Sequence, residues 1–221
     1  MLKFIHAADF HLDSAFAALP AGRAAERRRE SRELAFRLAD YVNGRGVQLV
    51  LLAGDLFDSA APYRETGEAL AEALGRMRAQ VFAAPGNHDW CGPGSPWDTV
   101  DWPENVHIFQ ENAMTSVDLP ELDAAVHGAA FTSAEQGSSL LAGFAAPEDG
   151  RVHLGVLHGE IDPPPPAFPT WPWGTSISGG SRSGTAVRSA PGPAASRAGA
   201  LTNWGKRAFT RGSSTVGGMS P

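Results

Sequence analysis

The chain alternates short runs of continuous apolar residues with longer stretches whose apolar positions recur every three or four residues. Residues 2–9, "LKFIHAAD", stay apolar until polar residues close the run, the pattern of a strand buried on both faces. Residues 25–46, "AERRRESRELAFRLADYVNGRG", place Leu34, Leu38 and Val42 on one stripe. This predicts an amphipathic helix closed by Asn43-Gly44. "VQLVLLAGD" (47–55) predicts a second buried strand. Residues 64–80 predict a second helix, with Leu70, Leu74 and Met77 in register. "VFAAPGNHD" (81–89) predicts a third strand running into a turn. "NVHIF", "AAVHGAAF" and "RVHLGVLHG" predict further strands, and "SSLLAGFAA" (138–146) a short helix.

Strands alternating with helices, their apolar runs unbroken, predict an α/β fold with a mostly parallel sheet covered by helices. Ligands of such sheets sit at the C-terminal ends of the strands, so chemistry should cluster there. The first strand ends in Asp9-Phe10-His11 and the second runs into Gly54-Asp55-Leu56-Phe57-Asp58. The third runs into Gly86-Asn87-His88-Asp89, and a later one ends in Leu157-His158-Gly159-Glu160.

Carboxylates and imidazoles together suit manganese, iron or zinc. A carboxylate can bridge two such ions, and a pair about 3.5–4 Å apart can clamp the attacking and leaving oxygens of a phosphoester. Glycines beside the donors let the backbone turn sharply and approach closely. Each cluster alone has an ordinary reading. D-x-H is common, Asp55 and Asp58 could open a helix, "GNHD" could be turn chemistry, and His158 could be a satisfied strand-end histidine. Four together, each at a strand end, point to a dinuclear site.

Composition narrows the class. The 221 residues are 43% hydrophobic and include one cysteine, Cys91, which excludes an internal disulfide framework and fits a reducing, cytoplasmic setting. No segment reads as a signal peptide or a membrane span. The net charge of −6 is split. All 24 acidic and 12 of the 18 basic residues precede residue 163, giving −12; residues 163–221 carry the other six basic ones, giving +6. That tail is rich in Gly, Pro and Ser, a bias of the disordered kind. The basic run within 23–37 reads as a solvated helix face before it reads as a DNA contact. Trp90, Trp97 and Trp102 read as packing under a Pro-rich loop before they read as base-stacking platforms. His6 reads as a core residue, and His107, His127 and His153 carry no assigned role.

D-x-H, G-D-x-x-D, G-N-H-D and a lone His before Gly, in that order, resemble the calcineurin-like metallophosphoesterases. "FIHAADFHLDSAF" and "VLLAGDLFD" are similar to the nuclease subunit of SbcCD-type DNA repair exonucleases, the YhaO-like branch in particular. The resemblance spans about residues 2–162. It implies an α/β/β/α two-sheet sandwich flanked by helices, with a metallophosphoesterase domain over 1–162. It implies two divalent metal ions, manganese foremost, and hydrolysis of a phosphodiester, most naturally DNA ends in repair. It also implies an SbcC-type, SMC-like ATPase partner. By the family pattern, Asp9 and His11 would hold the first metal, Asp55 would bridge, and Asn87 and His158 would hold the second. His88 would face the scissile phosphate as the catalytic residue, and Asp58 and Asp89 would orient ligands and loop. A small-molecule phosphoesterase and a non-catalytic fragment are the alternatives.

One family motif is missing. G-H-x-H should supply an imidazole to each metal, yet no histidine follows His158. In its place stands "AFPTWPWGTSISGG" (167–180). Tryptophan has a single codon, so Trp171-Pro172-Trp173-Gly174 fixes most of its DNA. Read with each codon starting at the last base of the one before, that DNA is compatible with Y-L-A-L-G-H-I-H. In the same shifted frame, "LTNWGKRAFT" (201–210) is compatible with D-E-L-G-E-K-G-(V/L)-Y, a second tract of family character. The expectation is a frameshift near residues 163–168. It implies a tail over 163–221 not selected to fold, a sandwich incomplete on its C-terminal side, and impaired activity.

Overall fold

The first sheet is wholly parallel. Its order is β10 (Gly199–Thr202), β1 (Lys3–Ala7), β2 (Leu49–Ala53), β3 (Gln80–Ala84) and β4 (Val106–Ile108). The structure, a computed structural model, describes residues 2–159 and three strand segments beyond them: β10, β8 (Ser176–Ile177) and β9 (Ser183–Ser189). The unbroken apolar run of β2 follows from its neighbours. Val50 and Leu52 face helix α1 (Ala21–Arg45) and helix α2 (Arg64–Gly75), packing with Leu38, Val42, Leu70 and Leu74. Leu49, Leu51 and Ala53 face the opposite way, into a second core with Val126, Leu154 and Val156. A strand squeezed between two layers has no face left for polar residues.

The second core is the inner face of the second sheet, ordered β5 (Thr115–Leu119), β6 (Ala124–Gly128), β7 (Val152–His158), β9 and β8. This sheet is mixed: β6 and β7 are parallel, the other pairs antiparallel. On its outer face His127 and His153 are buried and stacked, ring centroids 5.1 Å apart, with His127 also against the Phe144 ring. The whole is the two-sheet, helix-flanked α/β sandwich expected from the sequence. No helix among the described residues is long and apolar enough to cross a membrane.

Three expectations need correcting. α1 runs past Asn43-Gly44 to Arg45 and closes at left-handed Gly46. Its buried stripe is Ala35, Leu38, Ala39 and Val42, with Leu34 exposed, because positions 35, 38, 39 and 42 recur at helical spacing on the side that meets the sheet. Residues 138–146 form turns and no helix; Gly143, at φ +72°, interrupts the helical path. The far edge of β7 is paired by β9 from Val152↔Ser189 to His158↔Ser183. Most of the tail expected to be disordered lies outside the described residues, as does "AFPTWPWGTSISGG" apart from the backbone of β8.

Between the elements, a short helix α3 (Pro96–Thr99) carries Trp97 into the core. Trp97 stacks on Trp102 at 5.2 Å, so these two tryptophans serve packing.

Candidate metal centre

Past the end of β1 and β2 the two chains stay in step. Asp9 N–H donates to the Gly54 carbonyl, His11 N–H to that of Asp55, and Leu12 N–H to that of Leu56, at 2.9–3.1 Å. Asp58 N–H returns the pattern to Leu12. Holding this path requires left-handed backbone at non-glycine residues: Asp9 (φ +57°), His11 (+44°), Asp13 (+65°) and Asp55 (+52°). Such conformations cost about 1–3 kcal/mol each and persist where the surroundings enforce them, commonly at functional sites.

The result is two groups of donors that share one residue. Asp9, Asp55 and His158 each offer a ligand atom within 4.8 Å of the others, and so do His11, Asp55 and His88. Asp55 is buried and its two oxygens divide the work. Oδ1 accepts the His88 backbone N–H at 3.0 Å. Oδ2 lies 3.4 Å from His158 Nε2 and 3.9 Å from His11 Nε2. Asn87 joins the first group, with Oδ1 3.0 Å from His158 Nε2.

The three imidazoles are oriented the same way. Nδ1 of His158 lies 3.1 Å from the Ala53 carbonyl, Nδ1 of His88 3.2 Å from the Asp58 carbonyl, and Nδ1 of His11 3.0 Å from Asp58 Oδ1. Each of these oxygens only accepts, so each Nδ1 carries the proton and donates. Every Nε2 is left to the site, the arrangement by which outer partners fix a ligating histidine. At His158 this points the Nε2 lone pair at two oxygens, Asp55 Oδ2 and Asn87 Oδ1. Converging lone pairs repel unless a cation lies among them, so the donor set fits divalent metal ions. The sequence reading gave Asp9 and His11 to one metal; each falls in one of the two donor groups, which Asp55 joins, and His88 stands beside His11.

Asp89 lies beneath this layer. Fully buried, it accepts backbone N–H groups from Gly86, Asp55, Leu56 and Phe57, at 2.7–3.3 Å. It thereby ties the "GNHD" loop to the loop of Asp55. Burial pushes its carboxyl up to about 6, opposed by the N–H donors and assisted by the Asp55 charge. The Trp97 indole N–H donates to the Asp89 carbonyl. Gly86 is required because a Cβ there would stand 2.3 Å from Asp55 Oδ1. Two contributors escaped the sequence reading. Phe131 packs edge-on against the His158 ring at 5.6 Å, and the Asp13 carboxylate holds the start of α2. Asp13 had a visible signal, a carboxylate two positions after D-x-H.

Residues 2–159 match the model of the calcineurin-like phosphoesterases, and the chain belongs to that family. Its members are metal-dependent hydrolases of phosphoesters, which accords with the donor set. The chain is also similar to a protein of Bacillus subtilis (strain 168) described as the uncharacterized metallophosphoesterase YhaO, 31% identical over 169 residues. That alignment covers 72% of this chain and 41% of the relative, so the chain spans less than half of that protein's length.

Proposed function

We propose that this chain carries the hydrolytic domain of a manganese-dependent phosphodiesterase acting on DNA ends in repair, with activity reduced by the lack of a G-H-x-H motif. The observation that carries the hydrolytic reading is the place of Asp55 in both donor groups, with a single oxygen between two imidazoles. Choice of DNA rests on the similarity of "FIHAADFHLDSAF" and "VLLAGDLFD" to repair nucleases, and an SMC-like ATPase partner rests on the same similarity.

Two divalent ions bound there would acidify a water and neutralise charge on the phosphate. The chain's own part is positional. Asp9, Asp55, Asn87 and His158 define one pole of the site, and His11 and Asp55 the other, with His88 beside it. His88 keeps Nδ1–H on the Asp58 carbonyl, so its protonated form presents Nε2–H outward. That is the proton a leaving oxygen needs. Among the described residues each pole has few protein ligands, consistent with weak metal retention.

The test is Mn2+-dependent cleavage of linear duplex DNA alongside bis(p-nitrophenyl) phosphate. DNA cleavage that disappears in His88→Ala supports the nuclease reading. Turnover of the small diester alone replaces it with a small-molecule phosphoesterase. No turnover of either, with metal bound, leaves a non-catalytic domain.

A further inference from the structure

We propose that Asp13 is a positioning residue for the metal centre: its carboxylate clamps the loop that carries His11 against the segment that carries Asp55 and Asp58. The inference rests on the dinuclear reading above. No role in the site had been assigned to Asp13 from the motif pattern.

Asp13 touches neither donor group. Its side chain is nonetheless only 6% exposed and carries a charge, an arrangement that needs compensation. Three partners supply it. Oδ2 accepts the Tyr63 backbone N–H at 3.0 Å. Oδ1 accepts the Thr66 hydroxyl at 2.8 Å and Arg32 Nη1 at 3.3 Å. Arg32 Nη1 also donates to Thr66 Oγ1 at 3.1 Å, closing the network. Thr66 is fully buried.

The partners come from two helices. Arg32 belongs to α1. Tyr63 precedes the first residue of α2 and has no side-chain cap of its own. Asp13 therefore caps α2 from a distance, placing a negative charge where the helix dipole favours one. α2 directly follows the loop that bears Asp55 and Asp58. One carboxylate thus fixes the far end of both ligand loops, while the backbone bonds between residues 9–12 and 54–58 fix the near end. Asp13 is itself left-handed, two residues past left-handed His11. Without the clamp, the stretch from His11 to Phe16 has less to hold it in that conformation. The His11 ring then loses its fixed aim, even with the Asp58 bond intact.

The prediction is selective. Asp9 is bonded through its backbone to Gly54 at the sheet margin, and His158 stands on the other sheet, so the pole they form with Asp55 should be spared. In a calorimetric titration of the full chain with Mn2+, wild type should bind two ions. Asp13→Ala should weaken one by roughly 10–100-fold, the range seen when the partners of metal ligands are removed, and leave the other within about threefold. Thr66→Val keeps the volume and removes the hydroxyl donor. It should weaken the same ion by a smaller factor and guards against misfolding of Asp13→Ala. Asn105→Ala is the stability control: it deletes side-chain bonds to the Leu74, Met77 and Ala79 carbonyls, far from the site.

Unchanged affinities in both clamp variants would overturn the proposal. So would equal weakening of both ions matched by Asn105→Ala, because the effect would then follow stability alone. Wild type that binds fewer than two ions removes the dinuclear reading, and the positioning role with it. That result is distinct from a wild type that binds two and clamp variants that bind them equally well.

Discussion

A Cβ placed on Gly54 would stand 2.6 Å from the ring of His158, so the join between the two sheets at the metal centre has room for hydrogen only. Gly54 follows β2 in the first sheet and His158 ends β7 in the second. Gly54 is also left-handed, at φ +75°. Gly54→Ala must therefore displace the imidazole and strain the backbone together. The expected outcome is a loss of about 1–3 kcal/mol, read in a denaturant titration, with weakened Mn2+ binding in a parallel titration.

The shared carboxylate gives an asymmetric prediction. Asp55→Asn alters both donor groups and should weaken both ions. His158→Gln alters one and should leave His11 and Asp55, with His88 beside them, able to hold their ion. Each loss should exceed the roughly 10–100-fold that removal of a ligand's partner causes. Metal stoichiometry at equilibrium dialysis, followed by diester turnover, separates the two variants.

Asp89→Ala leaves buried N–H groups of Gly86, Asp55, Leu56 and Phe57 without their acceptor. Each unsatisfied donor costs about 1–3 kcal/mol before relaxation, so the variant should be strongly destabilised or fail to fold. Asp89→Asn keeps an acceptor oxygen and should lose less. Thermal unfolding of the pair measures the difference.

Stability should fall as pH drops from about 6.5 to about 4. Burial lowers His6 to about 4; burial, aided by the neighbouring His153, lowers His127 to about 4 as well. A depressed histidine stays neutral in the fold while the unfolded chain takes up a proton near 6.5. The unfolded state thus gains protons on two histidines across that window, more than the fold gains on the single buried Asp89, whose carboxyl is raised to about 6, so stability rises with pH across it. The groups facing His127 are Ser116 on β5, His153 on β7 and the Phe144 ring, with Asp118, Asp149 and Arg151 nearby. Urea midpoints between pH 7 and 4, in chelator, should show the fall, and His127→Gln should flatten it.

The frameshift proposal makes a prediction about nucleotides. Past the codon for Asp162, the shifted frame should stay open and encode G-H-x-H near codons 174–178. A stop codon in that frame ends the idea. A repaired chain should bind Mn2+ more tightly and turn over diester faster than the chain of 221 residues.

Much of the fold was legible because β1, β2 and β3 are buried on both faces, and an unbroken apolar run admits few other readings. The four polar clusters were legible for a related reason: they follow those strands immediately, where a parallel sheet gathers its ligands. Their distances were not legible. How closely Asp9, His11 and His158 approach Asp55 depends on consecutive left-handed residues and on how two sheets stack, and neither leaves a mark in hydrophobic periodicity. β5 went unread although Val117 and Leu119 point inward at strand spacing, since a single pair of apolar positions is a weak signal. Leu34 misled because the buried stripe of α1 is largely alanine.

Six residues supply the two donor groups and Asn87, and all but one come from loops of the parallel sheet. His158 alone reports from the other layer. A slip of one layer against the other therefore disturbs a single ion position and leaves its twin intact. Gentle denaturant or pressure should empty the sites in order, the Asp9 and His158 side first, well before the polypeptide unravels.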